Sequence, residues 1–301
     1  MLNSKCKNKP ALTTFVDIKS RFEYHRPKSV SEALNFLNKF KGQASFLAGG
    51  TDLIVKMRLG KVSPKGLIDI KGITKLHGVK ITDKQVIIGP LTTLAEIAND
   101  SGLKKVLPTL PHTALLMASP QVRNRGTIGG NICNASPSAD MAPPLLVLEA
   151  KIKYASRSGT KTVNLEDFFT GPGATVMGNK GLLTAIVIPI PHKEARVGYQ
   201  TLALREAMDL SIVSAAAFVR KEQGIIKETR IALGAVAPIP LRAVAAEKIL
   251  IGTAGYSEQI KTAAETAAAE CSPISDVRAS ETYRCNMVNV VTRRVLEEVL
   301  G

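Results

Sequence analysis

The chain has 301 residues, 45% of them apolar, and a formal net charge of +15; at roughly twice the commonest domain size, two packed domains or three subdomains are expected. No run approaches the ~18 uninterrupted apolar residues of a membrane span and the N-terminus lacks a signal peptide's apolar core, which predicts a soluble cytoplasmic protein. The excess of 40 Lys and Arg over 25 Asp and Glu raises nucleic-acid binding, but the basic residues are scattered, Trp is absent, and the eight Phe and five Tyr do not interleave with basic clusters as a stacking platform needs.

Residues 1–21 read as a basic arm: in the first 28 residues Lys5, Lys7, Lys9, Lys19, Arg21, Arg26 and Lys28 face only Asp17 and Glu23. Ser29-Val30-Ser31-Glu32 has capping-box spacing and opens a helix with Ala33, Leu37 and Phe40 on one face. Ala44 to Ala48 then reads as a short buried strand that delivers the chain into Gly49-Gly50. Asp52 is placed to N-cap a following helix through Leu53, Ile54 and Met57 that stops at Gly60. With a further strand from Gly66 to Ile70, this first unit is a small α/β fold whose strand-to-loop-to-helix junction is where such folds place phosphates.

Val79 to Gly89 predicts a hairpin turning at Thr82-Asp83-Lys84, and Thr93-Leu94-Ala95-Glu96 caps the helix after it. Another helical pattern, Leu110 to Ala118, runs through Pro120 to Gly126 into Thr127-Ile128-Gly129-Gly130-Asn131. Leu145 to Leu148 continues as helix or strand, Lys151 to Val163 turns as a hairpin at Ser158-Gly159, and Leu182 to Ile190 is a strand. Past Pro189 and Pro191 the reading is strands at Tyr199–Arg205, Ser211–Val219 and Ile231–Val236, with a turn at Gln223-Gly224. Helices follow at Arg242–Leu250, Tyr256–Cys271 and Ser280–Leu300, which predicts an α+β C-terminal domain.

The two glycine stretches carry the chemistry. Adjacent glycines let backbone approach a diphosphate and aim N–H groups at it. Thr127 and Asn131 add short donors, and the carboxylate of Asp140 suits ribose hydroxyls. A bare glycine pair is more often a tight turn between core elements. Its recurrence in Ala48-Gly49-Gly50-Thr51-Asp52-Leu53 favours a nucleotide-cofactor cradle. Cys6, Cys133, Cys271 and Cys285 lie far apart with no CxxC pair, so neither an iron–sulfur cluster nor a zinc site is encoded locally, and reduced structural thiols are expected.

Together with Ser275-Asp276-Val277-Arg278-Ala279-Ser280-Glu281-Thr282-Tyr283-Arg284, the two stretches resemble one family, the FAD-binding medium subunits of the molybdenum hydroxylases, which include xanthine and carbon monoxide dehydrogenases. The resemblance runs from about Phe22 to the C-terminus. It implies an α+β fold: a two-subdomain FAD-binding α/β domain of the PCMH type at 22–192 (subdomains about 22–76 and 77–192), then a C-terminal domain at 193–301 with a three-stranded antiparallel sheet and a helical bundle. It also implies that Ala48, Gly49, Gly50, Thr51, Asp52 and Leu53, with Thr127, Ile128, Gly129, Gly130 and Asn131, wrap the FAD diphosphate. Asp140 would serve the ribose or adenine side, Met117 the isoalloxazine, and Leu183 the adenine side. For Met117, a core position on an amphipathic helix is an equal reading. Arg123 and Arg125 are read either as attracting the diphosphate or ribityl chain or as solvated surface arginines, and Asp276 with Arg278 as a helix cap and ion pair. Where some relatives carry a lysine near the flavin this chain has Ala203.

The activity implied is oxidoreductase: FAD receives electrons from a small 2Fe-2S subunit and passes them to NAD or another acceptor, beside a large molybdopterin-binding subunit. Two other readings are a self-contained FAD-dependent oxidoreductase and a basic nucleic-acid-binding or scaffold protein.

Overall fold

The computed structural model describes residues 21–205 and 208–301; the expected basic arm, apart from Arg21, lies outside the described residues. The first unit is β1 (Glu23–His25), α1 (Val30–Lys39), β2 (Ala44–Leu47), α2 (Leu53–Arg58) and β3 (Gly66–Asp69), with an all-parallel sheet in the order β1-β3-β2. Ser29 Oγ accepts from Glu32 N–H at 3.1 Å, but the Glu32 carboxylate turns to Lys28 N–H at 2.8 Å, so the capping box closes one residue early. Ala33 and Leu37 are buried with Ile68, Ile70 and Leu182, and Phe40 packs at the edge of this cluster.

Leu182 belongs to the second unit. The β4 (Val79–Ile81) and β5 (Gln85–Ile88) hairpin leads into α3 (Leu94–Asn99), α4 (Ser101–Val106), α5 (Thr109–Leu116), α6 (Pro120–Arg123), α7 (Ile128–Asn134) and α8 (Ala142–Val147). Then come β6 (Lys151–Ser156), β7 (Gly159–Asn164), the small hairpin β8 (Phe169–Gly171) and β9 (Ala174–Thr175), and β10 (Gly181–Pro189). The antiparallel sheet runs β4-β5-β10-β6-β7. Thr93 caps α3 with a full capping box. The run Leu145–Leu148 resolves as helix, because Leu145, Leu146, Val147 and Leu148 are all buried between neighbouring layers.

The third unit holds β11 (Ala195–Leu202), β12 (Val213–Glu222), β13 (Ile225–Gly234) and β14 (Leu241–Arg242), antiparallel and in that order, followed by α9 (Val244–Leu250), α10 (Ser257–Ala269) and α11 (Glu281–Leu300). A two-residue fourth strand joins the three expected. Along β12 the side chains alternate between two cores: Val213, Ala215, Ala217 and Val219 pack with Val288, Val291 and Val295 of α11, while Ala216 and Phe218 pack with the second unit's core. Burial on both faces explains the near-continuous apolar run. Further bonds cross the same joint: Thr109 Oγ1 donates to Val197 O at 2.7 Å, Arg230 Nε to Val147 O at 2.5 Å, and Ala235 N–H to Pro137 O at 2.7 Å.

Between α10 and α11, Asp276 pairs with Arg278 at 2.7 Å and with the buried Arg284 at 2.8 Å. The ion pair is as expected, but Asp276 caps no helix. Its Oδ1 closes a turn on the N–H groups of Arg278 and Ala279, and Ser280 caps α11 through Tyr283 N–H. Among the described residues no helix is long and apolar enough to cross a membrane.

Candidate functional site

β2 carries the chain through Ala48 and Gly49 into Gly50, whose φ of +81° lies in the left-handed region open to glycine. The first helical bond of α2 runs from Ile54 N–H to Gly50 C=O at 3.1 Å, so Thr51, Asp52 and Leu53 have N–H groups with no intrahelical acceptor. Asp52 does not cap them. Its backbone is already helical (φ −99°, ψ −47°), which turns the side chain away from the first-turn amides, and its carboxylate accepts instead from Asn134 Nδ2 at 3.2 Å.

The second stretch is the start of a helix, not a tight turn or a nest of free N–H groups. Gly129 and Gly130 lie inside the first turn of α7, capped by Thr127, whose Oγ1 accepts from Gly130 N–H at 3.0 Å. Ile128 N–H donates to Thr92 O at 3.0 Å and Gly129 N–H to Pro90 O at 2.9 Å. These amides are therefore spent within the protein. The glycines serve space instead: a Cβ on Gly129 would sit 2.4 Å from Pro90 Cβ, whereas one on Gly130 would meet only Thr127 Oγ1, at 3.0 Å. Next to Gly130, Asn131 Oδ1 is buried with no hydrogen-bond partner among the described residues. Ile128 and Ile132 anchor the opposite face of the helix in the core.

The two stretches touch. A Cβ on Gly49 would fall 1.9 Å from Arg125 O, and one on Gly126 would face Thr51 Oγ1 at 3.6 Å. Asn134 ties the far end of α7 to α2, bonding both Asp52 and Lys56. Arg123 fits neither of its expected roles: its guanidinium donates to Met117 O at 2.7 Å and Ala118 O at 2.8 Å, bracing the left-handed Ala118. Met117 and Leu183 are 8% and 2% exposed and share the core that holds Ile128.

Asp140 stands at the joint with the C-terminal sheet. Its Oδ1 accepts from Tyr199 OH at 2.8 Å and from Ser211 Oγ, and Ser211 in turn meets Thr201 Oγ1 at 2.7 Å. Burial raises the pKa of both Asp140 and Tyr199. Asp140 lines a cleft of about 520 Å³ with His112, Leu116, Arg205 and Asp209. Sequence reasoning missed Lys56, Asn134, Tyr199 and Ser211. Their partners lie 59 to 82 residues away along the chain, except Thr201, so no local pattern marks them.

Residues 20–191 match the protein family described as the FAD binding domain in molybdopterin dehydrogenase, and residues 199–299 the CO dehydrogenase flavoprotein C-terminal domain. The chain belongs to the FAD-binding subunits of the molybdopterin dehydrogenases. Over 281 residues it is 33% identical to the xanthine dehydrogenase FAD-binding subunit of Escherichia coli O157:H7, covering 92% of this chain and 96% of that one. It is 34% identical over 279 residues to the carbon monoxide dehydrogenase medium chain of Hydrogenophaga pseudoflava, covering 93% and 97%. A solved structure of the carbon monoxide dehydrogenase from that organism, lacking the Mo-pyranopterin moiety of its molybdenum cofactor, superposes with a TM-score of 0.91 at 35% identity, over 93% of this chain and 97% of that one. As an FAD subunit of this family the chain is part of an oxidoreductase. In those relatives the name medium chain implies large and small chains beside it.

Proposed function

We propose that this subunit holds FAD with its diphosphate against Ala48–Leu53 and Thr127–Asn131, takes electrons from a small 2Fe-2S subunit, and passes them to NAD or another acceptor in the cytoplasm. Substrate oxidation then belongs to a large molybdopterin-binding subunit. The FAD domain spans 22–192, divided near residue 76, and 193–301 forms the second domain.

The observation that carries the reading is the contact of Gly49 with the Arg125 carbonyl, which sets the uncapped amides of Thr51, Asp52 and Leu53 beside the open face of Gly130. Free amides at the start of a helix favour an anion, and an uncovered glycine lets it approach. The buried, unpartnered Asn131 Oδ1 asks for a donor, and the ribityl and ribose hydroxyls of FAD are donors. Among the described residues the hydrogen bonds to Asp140 fall on Oδ1, which leaves Oδ2 of this cleft-lining residue for a hydroxyl of the cofactor. Met117 and Leu183 supply apolar surface to the isoalloxazine and adenine sides. Bound FAD supplies electron transfer at its isoalloxazine, while the chain binds, orients and tunes it.

The test is a flavin titration of the purified full chain. Uptake of about one FAD per chain, lost in a folded Gly130→Val variant, supports the cradle. Wild-type affinity in that variant sinks it.

A further inference from the structure

Asn134, the last residue of α7, donates from Nδ2 to the Asp52 carboxylate at 3.2 Å, while its Oδ1 accepts from Lys56 Nζ at 2.5 Å. Asp52 and Lys56 are one helical turn apart at the start of α2, so both reach the same amide. A primary amide has one donor end and one acceptor end. Here the donor end faces an anion and the acceptor end a cation, and the flipped amide would oppose both charges. The arrangement is directional and joins two helices whose residues stand 78 and 82 positions apart.

It also answers a problem of charge. Asp52 sits among the free amides of α2, where a carboxylate repels an incoming diphosphate. Asn134 draws that carboxylate to itself and connects it with the Lys56 ammonium, so the three side chains sum to no net charge. The same bonds hold α2 against α7 at a second point, in addition to the backbone contact of Gly49 with Arg125.

We propose that Asn134, with Lys56, is a positioning residue for FAD: a clasp that fixes the amides of residues 51–53 relative to α7 and neutralises Asp52, so that a dinucleotide diphosphate meets a preformed site. The inference rests on the FAD reading of the glycine stretches. It requires no contact of Asn134 with the cofactor.

The experiment is FAD titration of the full chain by flavin fluorescence, with thermal melts and amide hydrogen exchange of the FAD-free protein. Lys56→Met, which loses one charge-assisted hydrogen bond at a partly solvated site, is expected to bind FAD roughly tenfold more weakly, and Asn134→Ala, which loses two, at least as weakly. Exchange across residues 49–58 should quicken in both. Asn134→Asp alone places two carboxylates together and should bind worse still. Adding Asp52→Asn restores a donor opposite an acceptor and should return affinity to within a few-fold of wild type. This swap carries the test should Asn134→Ala fail to fold. A wild-type chain that takes up no FAD overturns the functional reading, and this inference with it. Uptake with equal affinity by Asn134→Ala overturns the clasp alone, as does a swap variant no better than Asn134→Asp.

Discussion

The four glycines of the two stretches are required for three different reasons, and each reason predicts a different phenotype. Alanine at position 49 would overlap the Arg125 carbonyl at 1.9 Å, and at position 129 the Pro90 side chain and carbonyl at 2.4 and 2.6 Å. Both should cost about 1–3 kcal/mol of stability through overpacking, seen as a fall in the melting temperature of the FAD-free chain. Gly50→Ala is strained by its φ of +81°, at roughly 1–2 kcal/mol. Gly130→Ala should melt near wild type, since only Thr127 Oγ1 stands close, and its deficit should appear in FAD affinity. A Gly130→Ala melt as depressed as that of Gly49→Ala contradicts the open face.

Two aspartates respond to pH in opposite directions. Burial raises Asp140, so its folded pKa lies above its unfolded one; its contribution is full below the unfolded value, near 4, and is lost as pH rises through the folded value. Arg278 above all holds Asp276 well below the usual carboxylate range, so its contribution is present above the unfolded value and is lost as pH falls through the folded one. Urea midpoints across pH should therefore show Asp140→Asn flattening the decline above about pH 4. Asp276→Asn should be destabilised at neutral pH and converge on wild type in acid. Parallel pH profiles for the two variants would contradict these assignments.

At the level of elements, α11 depends on one buried cation. Arg284 is 2% exposed and donates to Ile212 O at 2.8 Å, Ala235 O at 3.1 Å and Asp276 at 2.8 Å, tying the helix to the loops that flank β12 and β13. Arg284→Ala strips those carbonyls of their donor and should cost about 3–5 kcal/mol in chemical denaturation. A loss under 1 kcal/mol would show that water substitutes for the guanidinium. Legibility in the sequence divides along the same line. The elements set by local chemistry were readable: α1 and α3 from their caps, the β4–β5 and β6–β7 hairpins from their turns, and α11 from Ser280. The family resemblance was readable because its three stretches keep their order along the chain.

What escaped was set by tertiary contact. Gly129 and Gly130 were read as aiming their N–H groups at a diphosphate, yet Thr127 and the carbonyls of Pro90 and Thr92 take the amides of residues 128–130. Asp52 was expected to cap α2, but Asn134, 82 residues away, holds its carboxylate. Arg123 looked like a surface or anion-seeking charge and instead braces the Met117–Ala118 backbone. In each case the residue type was informative about hydrogen-bonding capacity and silent about which distant partner the fold brings near.

For the whole molecule, the charge of +15 and the four cysteines bear on assembly. One-electron wiring to a molybdenum centre needs clusters held by grouped cysteine thiolates. Cys271 and Cys285 meet at 3.3 Å between their Sγ atoms, but among the described residues no group of three or more His, Cys, Asp or Glu could hold a metal, and burial pushes the Cys133 and Cys271 thiols up to about 12, far from the thiolate that a ligand requires. The isolated subunit, loaded with FAD, is therefore expected to hydroxylate no purine, aldehyde or aromatic acyl thioester, whether or not it reduces a dye with a pyridine nucleotide. Hydroxylation should appear only on reconstitution with the large and small subunits. If the chain's positive charge serves those docking faces, association should weaken as ionic strength shortens the Debye length from about 10 Å at 0.1 M to about 3 Å at 1 M. Sedimentation of the mixed subunits across that salt range, with hydroxylation assayed in each fraction, reads both effects at once. Substrate turnover in the fraction holding this chain alone would promote the self-contained flavoenzyme, and salt-independent assembly would assign the contact to apolar surface.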